Sequence, residues 1–80
     1  MSSEALRAAG EAAEGGNPGE ALAALKRARA EFFRARDAEG LQEVLALAET
    51  LRARSPGAGA DTFVAAVRQN IRSPRAPGAA

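Results

Sequence analysis

Chemistry in this chain has to come from carboxylates and guanidinium groups, because it contains no His, Cys, Trp or Tyr. That composition removes imidazole acid–base catalysis, thiol nucleophiles and the usual transition-metal ligands. Two carboxylate pairs have helical spacing: Glu39 and Glu43 stand four apart, and Glu11 and Glu14 three apart. Each pair would share one helix face, where it can bind a hard cation or divide acid and base roles. Carboxylates on helices are mostly solvated, and we read both pairs that way. The run Gly15-Gly16-Asn17-Pro18-Gly19 is rich in glycine. It lacks the Gly-Lys-Ser/Thr ending and the preceding strand of a phosphate loop, so it reads as a helix connector. Two short basic serine-proline segments, at Arg52 to Pro56 and Arg72 to Arg75, read as solvated chain. The expectation is a protein that is no enzyme and carries no cofactor and no metal.

Charge is patterned along the chain. Residues 1–20 hold Glu4, Glu11, Glu14 and Glu20 against Arg7. Residues 21–36 hold Lys26, Arg27, Arg29, Arg34 and Arg36 against Glu31 alone. Residues 37–54 return to a net acidic balance, and the whole chain sums to +1. A basic segment between two acidic ones suggests pairing within the molecule. It also leaves open a basic face for an acidic helix or for nucleic acid. The small net charge gives no global pull toward nucleic acid or membrane.

The elements that would carry these residues are helices. No segment alternates with period two, and β-branched residues are few. A first helix is expected at about 3–14, capped by Ser2 or Ser3, with Leu6, Ala9, Gly10 and Ala13 inward. The glycine-proline run stops it, and Asn17-Pro18 can cap and open the next. A second helix at about 18–36 puts Ala21, Ala24, Leu25, Ala28, Phe32 and Ala35 on one arc. Leu22 and Phe33 fall on its flank near Arg29, which suggests neighbours on two sides. Lys26, Arg27 and Arg34 face away, beside Ala23 and Ala30. Asp37 can cap a third helix at about 38–54, with Leu41, Val44, Leu45, Ala48 and Leu51 inward and Leu47 off the stripe. After the breaker Ser55 to Gly59, Asp61 can cap a short fourth helix at about 62–71, with Phe63, Val64, Val67 and Ile71 on one face. Residues 73–80 are rich in Pro, Gly and Ala and are expected to be disordered.

The stretch Gly16-Asn17-Pro18-Gly19-Glu20-Ala21-Leu22, with Leu25 and Ala28, resembles the turn and second helix of a tetratricopeptide repeat. Ala21 and Ala28 match its two small positions seven apart, and Leu25 its large one between them. Leu6 and Gly10 fall roughly where the first helix of that family carries a large and a small residue. Phe33 to Asp37 followed by Gly40, Val44, Leu45 and Ala48 is similar to a second, overlapping hairpin, in which Gly40 and Ala48 would allow close backbone approach. Three-helix domains of the microtubule-interacting-and-trafficking type are similar in length and layout. The resemblance covers about residues 4–51. It implies binding of a peptide or helix in a groove, without catalysis. Where the family closes its second helix on proline, this chain continues through Phe32 and Phe33.

Composition sets the scale. Alanine supplies 22 of the 37 apolar residues, and 15 are larger. Alanine is the best helix former but buries little surface, so helices form readily over a thin core. Eighty residues make one domain, expected over 1–72. With no Cys or His to staple it, self-association or a partner chain is the remaining support. Residues 1–16 lack the apolar run of a signal peptide, and no stretch reaches membrane-span length. A cytoplasmic location is expected, without membrane partners. Ten Arg to one Lys, with abundant Ala and Gly, points to a GC-rich bacterial coding sequence.

The expected fold is therefore all-α: a small antiparallel three-helix bundle of tetratricopeptide-like hairpins, a short fourth helix and a disordered tail. The expected work is protein–protein interaction, as an adaptor or small regulator that docks a peptide or helix or self-associates. The partner-binding candidates are Leu22, Phe33 and Leu47, as edges of one apolar groove, with Lys26, Arg27 and Arg34 as the basic face. Nucleic acid on that basic face is the alternative. Only Phe32 and Phe33 could stack on its bases.

Overall fold

The computed structural model describes residues 4–72, which form α1 (Glu4–Glu14), α2 (Pro18–Ala35), α3 (Ala38–Arg54), a 3-10 turn (Pro56–Ala58) and α4 (Ala60–Arg72). There is no strand among the described residues. Each helix packs chiefly on its neighbours in sequence, α1 on α2, α2 on α3 and α3 on α4, while α2 touches α4 more lightly. The four-helix, all-α arrangement is the one the periodicity implies. The expected serine caps at Ser2 and Ser3, and the expected tail at 73–80, lie outside the described residues.

Local chemistry explains most of the boundaries. Gly16 turns the chain between α1 and α2 with φ 79°, a left-handed angle that costs glycine nothing. Asn17 occupies the N-cap position of α2, but its side chain makes no capping hydrogen bond. Pro18 opens the helix, where its missing donor is not needed. At α3 the expected cap is formed: Asp37 Oδ1 accepts from the Gly40 N–H at 3.0 Å.

Two helices and the burial of one residue differ from the sequence reading. The second helix ends at Ala35, one residue early, because Arg36 turns left-handed (φ 56°, ψ 40°) and its N–H closes the last turn on Phe32 and Phe33 carbonyls. The fourth helix is longer than expected, starting at Ala60. Asp61 therefore stands inside its first turn rather than before it. There it meets Arg52 of α3, Oδ1 to Nε 3.6 Å. Ala35, expected on the inward arc, is exposed, since the helix ends beside it and no neighbour reaches it.

In the core α2 alternates Ala21, Ala24 and Ala28 with Leu22, Leu25 and Phe32, and α3 and α4 add mostly larger side chains. Ala9, Ala21, Leu25, Ala28, Val44, Ala48 and Val67 are completely buried, and Leu51, Phe63 and Val64 nearly so. Leu6, Ala13, Leu45, Leu47 and Ile71 are only half-buried against it. The α2–α3 crossing depends on Gly40. A Cβ there would lie 2.5 Å from Phe32 Cγ, so the Phe32 ring lies flush on the α3 backbone. Close approach through Gly40 is what the hairpin resemblance implied.

Candidate docking surface

Of the three residues expected to edge one apolar groove, Phe33 is half-buried and lines a cleft that the other two do not reach. Leu22 is buried, with 9% of its surface accessible. Its Cδ2 lies 3.8 Å from where a Cβ of Gly59 would stand, under the turn that leads into α4. Leu22 and Phe33 are eleven residues apart on one helix, about 16 Å along its axis. Leu47 is half-buried on the flank of α3. The groove drawn from the sequence is thus not formed, because burial against the 55–59 connector consumes its Leu22 end.

Phe33 instead lines a different cleft with Arg36, Ala38, Leu41, Asn70 and Ile71. The C-terminal ends of α2 and α4 and the start of α3 meet there. Phe33, Leu41 and Ile71 supply an apolar floor, and exposed Arg36 stands on the rim. The volume is about 80 Å³. Small-molecule sites typically enclose ~300–1,000 Å³, so this cleft suits a single side chain of a larger partner.

Asn70 at the cleft wall is buried, and its Oδ1 accepts from Arg29 Nη1 at 2.9 Å. Arg29 thereby straps α2 to α4. Its Nε is buried with no hydrogen-bond partner, an uncompensated donor of the kind that costs roughly 1–3 kcal/mol. Sequence reasoning put Arg29 on the right flank but missed this strap. The signal was present: a long polar side chain at the same helical phase as Leu22 and Phe33, opposite an Asn in a helix with a full apolar face.

A second, shallower depression of about 330 Å³ lies between α1 and α2, lined by Glu4, Ala5, Ala8, Arg27 and Glu31. Neither carboxylate pair singled out in the sequence contributes to it. Glu11, Glu14, Glu39 and Glu43 are all exposed. Among the described residues no group of three or more carboxylates is placed to hold a metal ion.

The basic face is real as a surface. Lys26, Arg27 and Arg34 are exposed on the side of α2 that also shows Ala23 and Ala30. Among the described residues Lys26, Arg27 and Arg34 form no ion pair with α1 or α3. Among the described residues the ion pairs join α3 to α4 instead: Arg52 to Asp61, and Arg68 Nη2 to Glu49 Oε2 at 2.5 Å. Lys26 and Arg34 are exposed, Arg27 lines the α1–α2 depression beside Glu4, and Arg29 reaches Asn70 of α4.

Fold and surface define an all-α, four-helix domain built from helical hairpins. No family model, curated protein or solved structure matches the chain. Among the described residues no helix is long and apolar enough to cross a membrane.

Proposed function

We propose that this chain is a non-enzymatic interaction module, tetratricopeptide-like in its hairpins, that docks an amphipathic peptide or helix. The observation that carries the reading is the cleft where Phe33 and Ile71 remain half-exposed beside Leu41. Two large side chains left partly in water at the junction of three helix ends favour a partner that covers them. Arg36 on the rim favours a carboxylate next to the partner's apolar anchor. An adaptor or small regulator working in a bacterial cytoplasm fits the composition.

The test uses amphipathic helical peptides, each with one Leu, Ile or Phe on its apolar face and a flanking Glu, titrated into isotope-labelled protein. Amide shifts should concentrate at Phe33, Leu41, Asn70 and Ile71. Phe33→Ala should abolish them while leaving helical circular dichroism intact. If Phe33→Ala unfolds the chain, or no peptide perturbs those amides, the reading fails.

A second reading places nucleic acid on Lys26, Arg27 and Arg34, because these cations are exposed without an ion pair among the described residues. It stands second because Phe32 is buried and Phe33 is turned to the cleft, so neither ring is on the basic face to stack on a base. Salt-dependent retention of DNA or RNA, lost on reversing Lys26 and Arg27, would promote it.

A further inference from the structure

Asn70 is the one buried polar residue among the described residues, 8% accessible, on a face of α4 otherwise filled by Phe63, Val64 and Val67. An apolar side chain there, with another at position 29, would fill the same space without leaving Arg29 Nε unmatched. Stability therefore does not account for the pair. Its chemistry does fix one thing. A guanidinium only donates, so the amide oxygen of Asn70 must face Arg29, as it does at 2.9 Å. The Asn70 NH2 is thereby turned away from Arg29 and has no acceptor among the described residues. It also keeps accessible surface, because Arg29 Nε is the one buried side-chain nitrogen or oxygen without a partner among those residues. The surface to which Asn70 contributes is the Phe33 cleft.

An apolar cleft with room for one side chain thus has a fixed donor in its wall. Ala38, which also lines it, opens α3, and the first N–H groups of a helix have no acceptor within it. We infer that the cleft takes the C-terminal turn of a partner's helix: one Leu, Ile or Phe of that turn sits on the floor, and a main-chain carbonyl of the same turn accepts from Asn70. This rests on the Phe33 reading and adds which part of the partner enters.

Inside a helix each carbonyl already accepts from the N–H four residues on, so a central anchor brings no free acceptor beside its side chain. It would bury the Asn70 NH2 unmatched. The last four carbonyls of a helix are free and carry the negative end of its dipole. A helix laid flat also presents apolar residues over several turns, whereas this cleft seats one. Arg36 stays on the rim for the partner's flanking carboxylate. Asn70 is the specificity-determining residue, and Arg29 is the positioning residue that holds its amide.

Two peptides of one composition test this, both amidated at the C-terminus and both carrying the same flanking Glu. One has its single Leu in the last helical turn, the other at the centre. Titrated into the isotope-labelled wild-type chain, the end-anchored peptide should bind about tenfold tighter. Asn70→Asp separates the donor from the strap: one carboxylate oxygen still pairs with Arg29, and the other faces the cleft as an acceptor. The variant should melt no lower than wild type and lose about tenfold in affinity for the end-anchored peptide, with far less change for the central one. Equal affinity of the wild type for the two peptides overturns the inference while the cleft stands, as does equal affinity of both proteins for the end-anchored one. Binding only by a peptide with a free α-carboxylate overturns it too, since the donors then serve an anion. If neither peptide moves the amides of Phe33, Leu41 and Ile71, the cleft reading and this inference fail together. The peptide comparison on the wild-type chain decides even where Asn70→Asp does not fold.

Discussion

The two hairpins of this domain are held together by different means. α1 contributes one fully buried residue, Ala9, and its one large apolar residue, Leu6, is only half-buried; α2 beside it buries Ala21, Ala24 and Ala28 along with Leu22 and Leu25. α3 and α4 bury larger side chains, Leu41, Val44, Leu51, Phe63, Val64 and Val67, and two ion pairs join them across the surface. The first hairpin relies on close approach of good helix formers, and the second on the area its side chains remove from water. The first should therefore be broken by adding atoms and the second by deleting them.

The largest effect is expected in the second hairpin. Leu51 is 2% exposed, and Leu51→Ala should cost about 2–5 kcal/mol through lost transfer energy and a residual cavity. Urea denaturation would read it as a lower midpoint with an unchanged slope. A cost below about 1 kcal/mol would mean that α3 and α4 are not tightly packed. In the first hairpin the same deletion is unavailable, because Ala9 is already small. Ala9→Leu should cost about 1–3 kcal/mol by forcing α1 off α2. Hydrogen exchange should then rise in α1 while α3 and α4 keep their protection. If Ala9→Leu stabilises the protein, the gap between α1 and α2 is wider than the burial of Ala9 indicates.

At the joint between the hairpins, Arg36 holds a left-handed conformation that costs a non-glycine residue about 1 kcal/mol. Arg36→Gly should raise stability by roughly 0.4–1 kcal/mol in the same denaturation experiment, since the C-cap geometry is kept and the strain removed. The smallest effect belongs to the exposed pair Arg68–Glu49, whose side chains keep 47% and 40% of their surface in water. Arg68→Ala should shift stability by under about 0.5 kcal/mol, and less in high salt. A larger loss would assign to ion pairing some of the stability credited here to side-chain area.

Several features were legible in the residues. The stripes Ala21–Leu25–Ala28–Phe32 and Leu41–Val44–Ala48–Leu51 are inward as their spacing requires, and Asp37 caps α3 as its position requires. Ala35 and Asp61 were misplaced because the helix ends shifted by one or two residues, which local propensity resolves poorly. The apolar groove was misassembled because Leu22, Phe33 and Leu47 share an off-stripe phase without sharing a neighbour. Periodicity gives the angle of a side chain around its own helix, not the element it meets.

Helix positions, the inward faces and the outward cations of α2 follow from the sequence alone, because they depend on propensity, caps and a 3.6-residue period within one segment. Which ends meet follows only from the tertiary arrangement. The strap from Arg29 to Asn70 spans 41 residues, and the Phe33 cleft needs three helix ends at once. Contacts so distant along the chain are set by how whole helices stack, and no local pattern encodes them.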